Sequence, residues 1–362
     1  MKVLFVFNHP APYKVETFNG LAHLLDIDVI FERKKAKDRP QKFYDNNVYN
    51  FKHIFLKRGA FSLENSNTSE LVKYIKKHHQ EYDLIIMNGY ATITEQRAIH
   101  YMIKYHIPYI LQINGGVIKK DFLFKKKLKT YYISHADKYL SPCKEADKYL
   151  IYYGAKVDNI YHYPYSNYHE SDVLNDVLTI EQKNRYKKRW SLPESPLFVC
   201  ASQFIERKNN IQLFDVFKKV SANLLLIGDG KEKEHYISYL KENNIQNVEI
   251  RDYMSKKDLF DLFKGCDFFI TLSKQDIFGH TTLEAMSNGL PVISSDKVVA
   301  SLEVIKNGEN GYIVSLEDEE KMIKCINDIN TNMSLNAIKT AKENTIEKSV
   351  IKIAEILKEI KA

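Results

Sequence analysis

Apolar residues in this chain gather in short unbroken blocks, separated by longer stretches in which they recur every three or four positions. Blocks at 3–7, 27–31, 83–89, 108–116 and 136–142 predict buried strands, and the periodic stretches 18–25, 69–79 and 93–106 predict amphipathic helices. Near Ile160 this alternation gives way to an aromatic, polar run that contains Pro164, and a charged helix is predicted over 179–191. It then resumes, with strands at 196–202, 222–230, 247–253 and 267–273, and helices over 211–220, through Leu240 and over 256–264. Strand and helix in turn imply parallel sheets covered on both faces, so the chain reads as α/β with two doubly wound domains, residues 1–168 and 190–340. The closing stretch 341–362 predicts a helix with an apolar stripe of Val350, Ile351, Ile353, Ile356 and Leu357, expected to pack back on the first domain. In open parallel sheets ligands bind outside the carboxyl ends of the strands, so the site is expected in strand-to-helix loops, in a cleft where the two domains face each other. Closure around a ligand would hinge near Tyr165 and near the start of the last helix.

Composition changes this picture in three places. The 362 residues, 44% of them hydrophobic, suffice for two cores, and no apolar run approaches the roughly 18 residues of a membrane-spanning helix. The short apolar N-terminus reads as a first strand rather than a secretion signal, which places the chain in the cytoplasm. Cys143, Cys200, Cys266 and Cys325 are too scattered for metal-ligand or redox spacing and read as reduced, buried thiols. The net charge of +7 is uneven: Lys119, Lys120, Lys125, Lys126, Lys127 and Lys129 crowd around Phe122, Leu123, Phe124 and Leu128. Such a segment, 119–129, suits an anionic membrane surface on the inner face, a nucleic acid or simply water. No nucleic-acid-binding module accompanies it, and no nucleic-acid partner is expected.

Three loops of the second half carry candidate chemistry. Glu206, Arg207 and Lys208 leave the strand at 196–202; two cations ahead of a helix can clamp a diphosphate, or form a solvated basic turn. Gly228-Asp229-Gly230 ends the next strand, where glycines admit either a nucleotide or a tight turn. The third stretch, SKQDIFGHTTLEAMSNGLPVISS at 273–295, sets Asp276 and Glu284 on either side of Phe278, Gly279 and His280. Thr281 followed three residues later by Glu284 predicts a capping box at a helix start, closed by Gly289 and Pro291. Capping accounts for Glu284 but leaves Asp276 and the Phe-Gly-His triplet unexplained.

Basic loop, Gly-x-Gly loop and acid–glycine–acid loop, in that order, resemble the donor domain of retaining glycosyltransferases of the GT-B fold, family 4 (glycosyl transferases group 1). The likeness is specific over about 196–316, including EAMSNGLPV at 284–292 and NGENGYIV at 307–314, and only architectural over 1–165. The resemblance implies that Glu284 accepts from the ribose hydroxyls of a nucleoside-diphosphate sugar and that Asp276 holds a hydroxyl of the transferred sugar. It implies that amides around Phe278, Gly279 and His280 meet sugar and diphosphate, that Lys208 and Arg207 neutralise the diphosphate beside the Gly228 turn, and that Tyr253 and Met254 lie near the base. His9, Asn114 and Gly115 are candidates for the acceptor side. Two departures stand out: Asp276 replaces the usual glutamate, and Ala201-Ser202 replaces a glycine-arginine pair, so Arg207 would have to substitute. The implied activity is transfer of a hexose, with retention and without metal or cofactor, from a UDP-linked donor to a glycan or lipid-linked acceptor in surface polysaccharide synthesis. A nucleotide-sugar epimerase and a non-catalytic partner subunit of the same fold remain the alternatives.

Overall fold

The computed structural model describes residues 1–36, 44–45, 47–56, 68–118, 121–194 and 196–362. They form two units: Met1–Asn167 with Thr345–Ala362, and Tyr168–Asn344. Lys119 and Lys120 lie outside the described residues.

The first unit holds seven parallel strands: β1 (Lys2–Phe7), β2 (Asp26–Phe31), β3 (Lys52–Phe55), β4 (Leu84–Asn88), β5 (Ile110–Gln112), β6 (Lys138–Ser141) and β7 (Ile160–His162), in the order β3-β2-β1-β4-β5-β6-β7. Val3–Phe7 are buried because β1 is flanked on both sides, Val3 aligning with Ile27 of β2 and Leu84 of β4. The first helix is Pro12–Ala22, six residues earlier than its apolar spacing suggests. Proline is favourable at a first helical position, where its missing N–H is not needed. Phe18 on this helix packs edge-on against Phe5 and Phe7, at 5.1 and 4.9 Å between ring centroids.

Strands β3 and β7 have no apolar block in the sequence. β7 is three residues of partly exposed sheet edge, so burial does not select its side chains. The aromatic stretch beyond it is core rather than linker: Tyr163 and Tyr165 are buried in the first unit, while buried Tyr168 donates to the Ala341 carbonyl at 2.9 Å in the second. The last helix, Ile346–Lys361, is capped by Thr345, whose hydroxyl accepts from the Lys348 amide. It buries Ile346, Val350, Ile353, Ile356 and Leu357 but exposes Ile351. It crosses helix Pro12–Ala22 so closely that a Cβ on Gly20 would come within 2.7 Å of Val350 Cγ2.

The second unit holds six parallel strands: β8 (Leu197–Ala201), β9 (Asn223–Ile227), β10 (Val248–Arg251), β11 (Phe268–Thr271), β12 (Val292–Ser295) and β13 (Gly311–Val314), in the order β10-β9-β8-β11-β12-β13. Phe198, Phe204, Phe214, Phe217 and Tyr236 fill the core on one face. Helix Ile180–Trp190 belongs to this unit, held by Lys183 Nζ on Asp267 Oδ1 at 2.7 Å. Strand order reverses between β8 and β11, and in open parallel sheets ligands bind at the carboxyl ends of the strands beside such a reversal. Each unit is thus a Rossmann-like α/β layer structure. The four cysteines are buried and free. Among the described residues no helix is long and apolar enough to cross a membrane.

Candidate functional site

Two loops meet at the strand-order reversal of the second unit. After β8 the chain makes a short 3-10 turn, Glu206–Lys208. After β11 it runs through Lys274 and Asp276 to helix His280–Ser287. The Lys274 amide donates to the Arg207 carbonyl at 2.8 Å. Lys208 Nζ forms a hydrogen-bonded ion pair with Asp276 Oδ2. The Arg207 guanidinium donates to the Gln275 carbonyl at 3.2 Å and stands 3.9 Å from Asp276 Oδ1. The Lys208 and Asp276 side chains are 10% and 18% exposed and that of Arg207 46%, so the lysine–aspartate contact is largely withdrawn from water while the arginine lies at its rim.

The acid loop is strapped from its other side as well. The Asp276 amide donates to the Lys297 carbonyl at 3.0 Å, Val299 N to the Asp276 carbonyl at 3.3 Å and Ala300 N to the Phe278 carbonyl at 2.7 Å. These bonds fix Gly279, the helix N-cap, at φ +91°, a left-handed conformation that glycine adopts without a Cβ clash. A Cβ there would also overlap Val298 Cγ1. His280 packs on Phe278, 4.8 Å between ring centroids.

Glu284 corrects the sequence reading. The helix starts at His280 behind Gly279, with no side-chain cap, so Thr281 and Glu284 form no capping box. Glycine in the left-handed region ends the loop two residues earlier than a cap at Thr281 would. Glu284 is the fifth helical residue and only 8% exposed. Thr282 instead bonds Ser301 at 2.8 Å, and the Glu284 carbonyl accepts from Ser287 and Asn288.

The remaining candidates follow the strand order. Gly228 follows β9, and a Cβ on it would overlap the Ser202 carbonyl oxygen, so the glycine first of all lets the β8 and β9 loops pass each other. Phe204 N donates to Asp229 O at 2.8 Å across the same junction. Exposed Tyr253 and partly buried Met254 follow β10 at the sheet edge, three strands from Asp276 or about 14 Å at ordinary strand spacing. Among the described residues no group of three or more His, Cys, Asp or Glu is placed to hold a metal ion.

In the first unit, His9 follows β1, its ring nitrogen 3.2 Å from the Tyr44 hydroxyl. Asn114 and Gly115 follow β5. Asn114 Oδ1 accepts at 3.2 Å from Lys14 Nζ, a residue that sequence reasoning missed. Lys14 is 6% exposed, its ammonium 4.1 Å from the centre of the Tyr165 ring, among Gln112, Tyr163 and Ser166. Burial alone pushes it down to about 7. The only sequence signal is a lysine in the first turn of the helix that follows a buried strand. A second buried cluster lies at the ends of β2 and β4. The Thr92 hydroxyl bonds Glu32 at 2.9 Å while Thr92 and Glu95 form a capping box. Burial, then the neighbouring Glu32, raises the Glu95 carboxyl well above its usual range.

Two outcomes follow from this geometry. Gly279→Ala is expected to lose about 2–4 kcal/mol of stability, from the left-handed backbone and the Val298 overlap together. Urea melts should show the double variant with Val298→Ala less damaged than the two single losses added; strict additivity would remove the overlap from the account. Lys14 is the second case. Between about pH 7 and 10 its unfolded form binds the proton and its folded form does not, so folding gains stability as pH rises through that window. The stability difference between Lys14→Met and the parent should therefore move in the parent's favour by about 1.4 kcal/mol per pH unit there. A difference that stays constant with pH would contradict a depressed lysine.

Residues 182–347 match the family model for glycosyl transferases group 1. Among curated proteins, the chain is 31% identical over 138 residues to N-acetyl-alpha-D-glucosaminyl L-malate synthase of Bacillus anthracis, covering 36% of this chain and 35% of that protein. It is 24% identical over 143 residues to the lipopolysaccharide core biosynthesis glycosyltransferase LpsE of Rhizobium meliloti, covering 39% and 42%. The chain thus spans less than half the length of the curated relatives it matches. Among solved structures, Anabaena HepE in complex with UDP superposes with a TM-score of 0.74 at 16% identity, over 99% of each chain. HepE has also been solved with UDP-glucose. Residues 182–347, most of the second unit, therefore match glycosyl transferases group 1, and the fold is that of the GT-B glycosyltransferases.

Proposed function

We propose that the chain moves a sugar from a UDP-linked donor to a hydroxyl of a glycan or lipid-linked acceptor, with retention and without a metal, in the synthesis of a surface polysaccharide. The observation that carries this reading is the Lys208–Asp276 ion pair, set between the basic turn and the left-handed Gly279 where strand order reverses. The UDP and UDP-glucose bound to HepE favour the donor class, and the lipopolysaccharide role in the name of LpsE favours the acceptor class.

In this reading the nucleotide lies across the strand ends, its base toward Tyr253 and Met254, its ribose hydroxyls on Glu284 and its diphosphate on Lys208 and Arg207. The arriving diphosphate takes Lys208 from Asp276, and the released carboxylate turns to a hydroxyl of the sugar. The bond from the sugar's anomeric carbon to the diphosphate oxygen breaks, and the acceptor oxygen bonds to that carbon on the same face. The acceptor's proton passes to the departing phosphate oxygen. Lys208, Arg207 and the amides after Gly279 stabilise the charge that develops on the diphosphate.

The test is a panel of nucleotide sugars screened by thermal shift, followed by proton NMR of the product formed with the best donor. Retention requires the product anomer to match the donor's. Glu284→Gln should weaken UDP binding at least about tenfold, as expected when a hydrogen bond to a charged group is lost, with little change in melting temperature. Unchanged UDP affinity in that variant would remove the role of Glu284. Donor consumed equally fast with and without acceptor would favour the epimerase, and a protein that neither binds nor turns over any donor would be a partner subunit.

A further inference from the structure

The acid loop leaves β11 where the ladder between β11 and β12 stops. Thr271 is the last residue of β11 in register, opposite Ser294 of β12. Two residues on, Ser273 is fully buried, so its carbonyl needs a partner other than bulk water. The Ser295 hydroxyl supplies one, donating to that carbonyl at 2.6 Å. A backbone amide in its place would prolong the strand and carry the chain straight on. A side-chain donor satisfies the carbonyl and lets the chain turn away, so that the next amide, of Lys274, reaches the Arg207 carbonyl at 2.8 Å.

A second serine holds the other end of the loop. Ser301 is fully buried on the short helix Val299–Val304, and its hydroxyl bonds that of Thr282 at 2.8 Å. Thr282 is the third residue of helix His280–Ser287. Glu284, two positions later, lies about 200° round that helix, so the bond holds the helix from the side opposite Glu284. The backbone bonds of Asp276, Phe278, Val299 and Ala300 run between the two serine contacts, and residues 295–301 thus back the loop from end to end.

We infer that Ser295 and Ser301 are positioning residues with separate effects: Ser295 sets the place of Asp276 against Lys208, and Ser301 that of Glu284. The inference rests on the proposed donor site, in which Asp276 meets the sugar and Glu284 the ribose. The effects separate because of where the straps lie. Ser273 stands just ahead of Asp276, whereas the Val299 and Ala300 bonds and Gly279 come between it and Glu284, so a shift at the loop's start is absorbed before the helix. Thr282 lies beyond those straps, beside Glu284. Ser295 therefore governs sugar transfer and Ser301 nucleotide affinity.

Two measurements test this without an acceptor: amide hydrogen exchange read residue by residue by NMR, and calorimetric affinity for UDP. In Ser295→Ala the amides of Lys274 and Asp276 should exchange at least about tenfold faster, as expected when a buried hydrogen bond is lost, while those of Leu283 and Glu284 hold and UDP binds no less tightly. In Ser301→Ala the pattern should reverse, with Leu283 and Glu284 exchanging faster and UDP binding about tenfold weaker. Thr282→Val should reproduce that result, and the double variant should be no worse than either single one. Transfer from the best donor of the nucleotide-sugar panel should fall at least about tenfold in Ser295→Ala through kcat, with the donor KM unchanged. Ser294→Ala removes a buried hydroxyl that bonds the neighbouring Ser295 carbonyl at 3.2 Å, and it should leave exchange at both ends of the loop and UDP affinity as in the parent. Faster exchange at both ends in either variant, or parent-like exchange and UDP affinity in both, would overturn the assignment. A parent that transfers no sugar would count against the proposed function alone, and the exchange patterns would still decide whether the two serines hold the two ends separately.

Discussion

A lysine and an aspartate meet where strand order reverses in the second unit, and most of what surrounds them exists to hold them there. Neither residue could stand alone at that depth. A charge withdrawn from water is costly unless paired, and removing one partner of such a pair leaves the other uncompensated. The Lys208–Asp276 contact, with both side chains under a fifth exposed, is therefore screened less by water than a surface ion pair, and each charge depends on the other. It also fixes which loops must come together. The β8 turn is bonded to the acid loop through Lys274, and the acid loop to the β12 loop through Asp276, Val299 and Ala300. Gly279 is the residue that lets these constraints close without strain.

Under the proposed function the same constraint governs how an anion arriving from outside would enter the site. A closed pair is electrically quiet; a diphosphate that displaces Asp276 from Lys208 gains a cation and frees a carboxylate in one movement. In that proposal Arg207, nearly half exposed at the rim, is the first cation the anion would meet. Lys14 in the first unit poses the opposite case, a buried amine with an amide and aromatic rings around it, whose hold on the proton is weakened by burial. In one unit the charge is kept by a partner, and in the other burial works against it.

The structure brings together, at the strand-order reversal, the acid loop and the basic turn that the sequence singles out. Two carboxylates around a glycine, and two cations after a strand, were visible as letters, and strand blocks such as 3–7 and 222–230 were visible because burial on both faces selects apolar runs. What failed was legible only in three dimensions. The capping box at Thr281 satisfied its pattern, yet a left-handed glycine started the helix earlier. β7 escaped because an edge strand of three residues needs no apolar block. The segment 119–129 was read by its charge, whereas burial of Lys129 and exposure of Phe122, Leu123 and Phe124 depend on how its helix, Leu123–Ser134, sits on helix Lys144–Tyr152. Lys14 had no signature, since nothing in a sequence says that a lysine will be sealed beneath two tyrosines.

The exchange of partners at Lys208 is most directly tested by calorimetric UDP affinity and sugar-transfer rate measured side by side in Asp276→Asn. Removing the carboxylate frees Lys208 and takes a negative charge away from the diphosphate, so the account expects UDP to bind more tightly. Transfer should nevertheless slow at least about tenfold, because the contact to the sugar is lost as the transition state forms. Weaker UDP binding together with an undiminished transfer rate would contradict it.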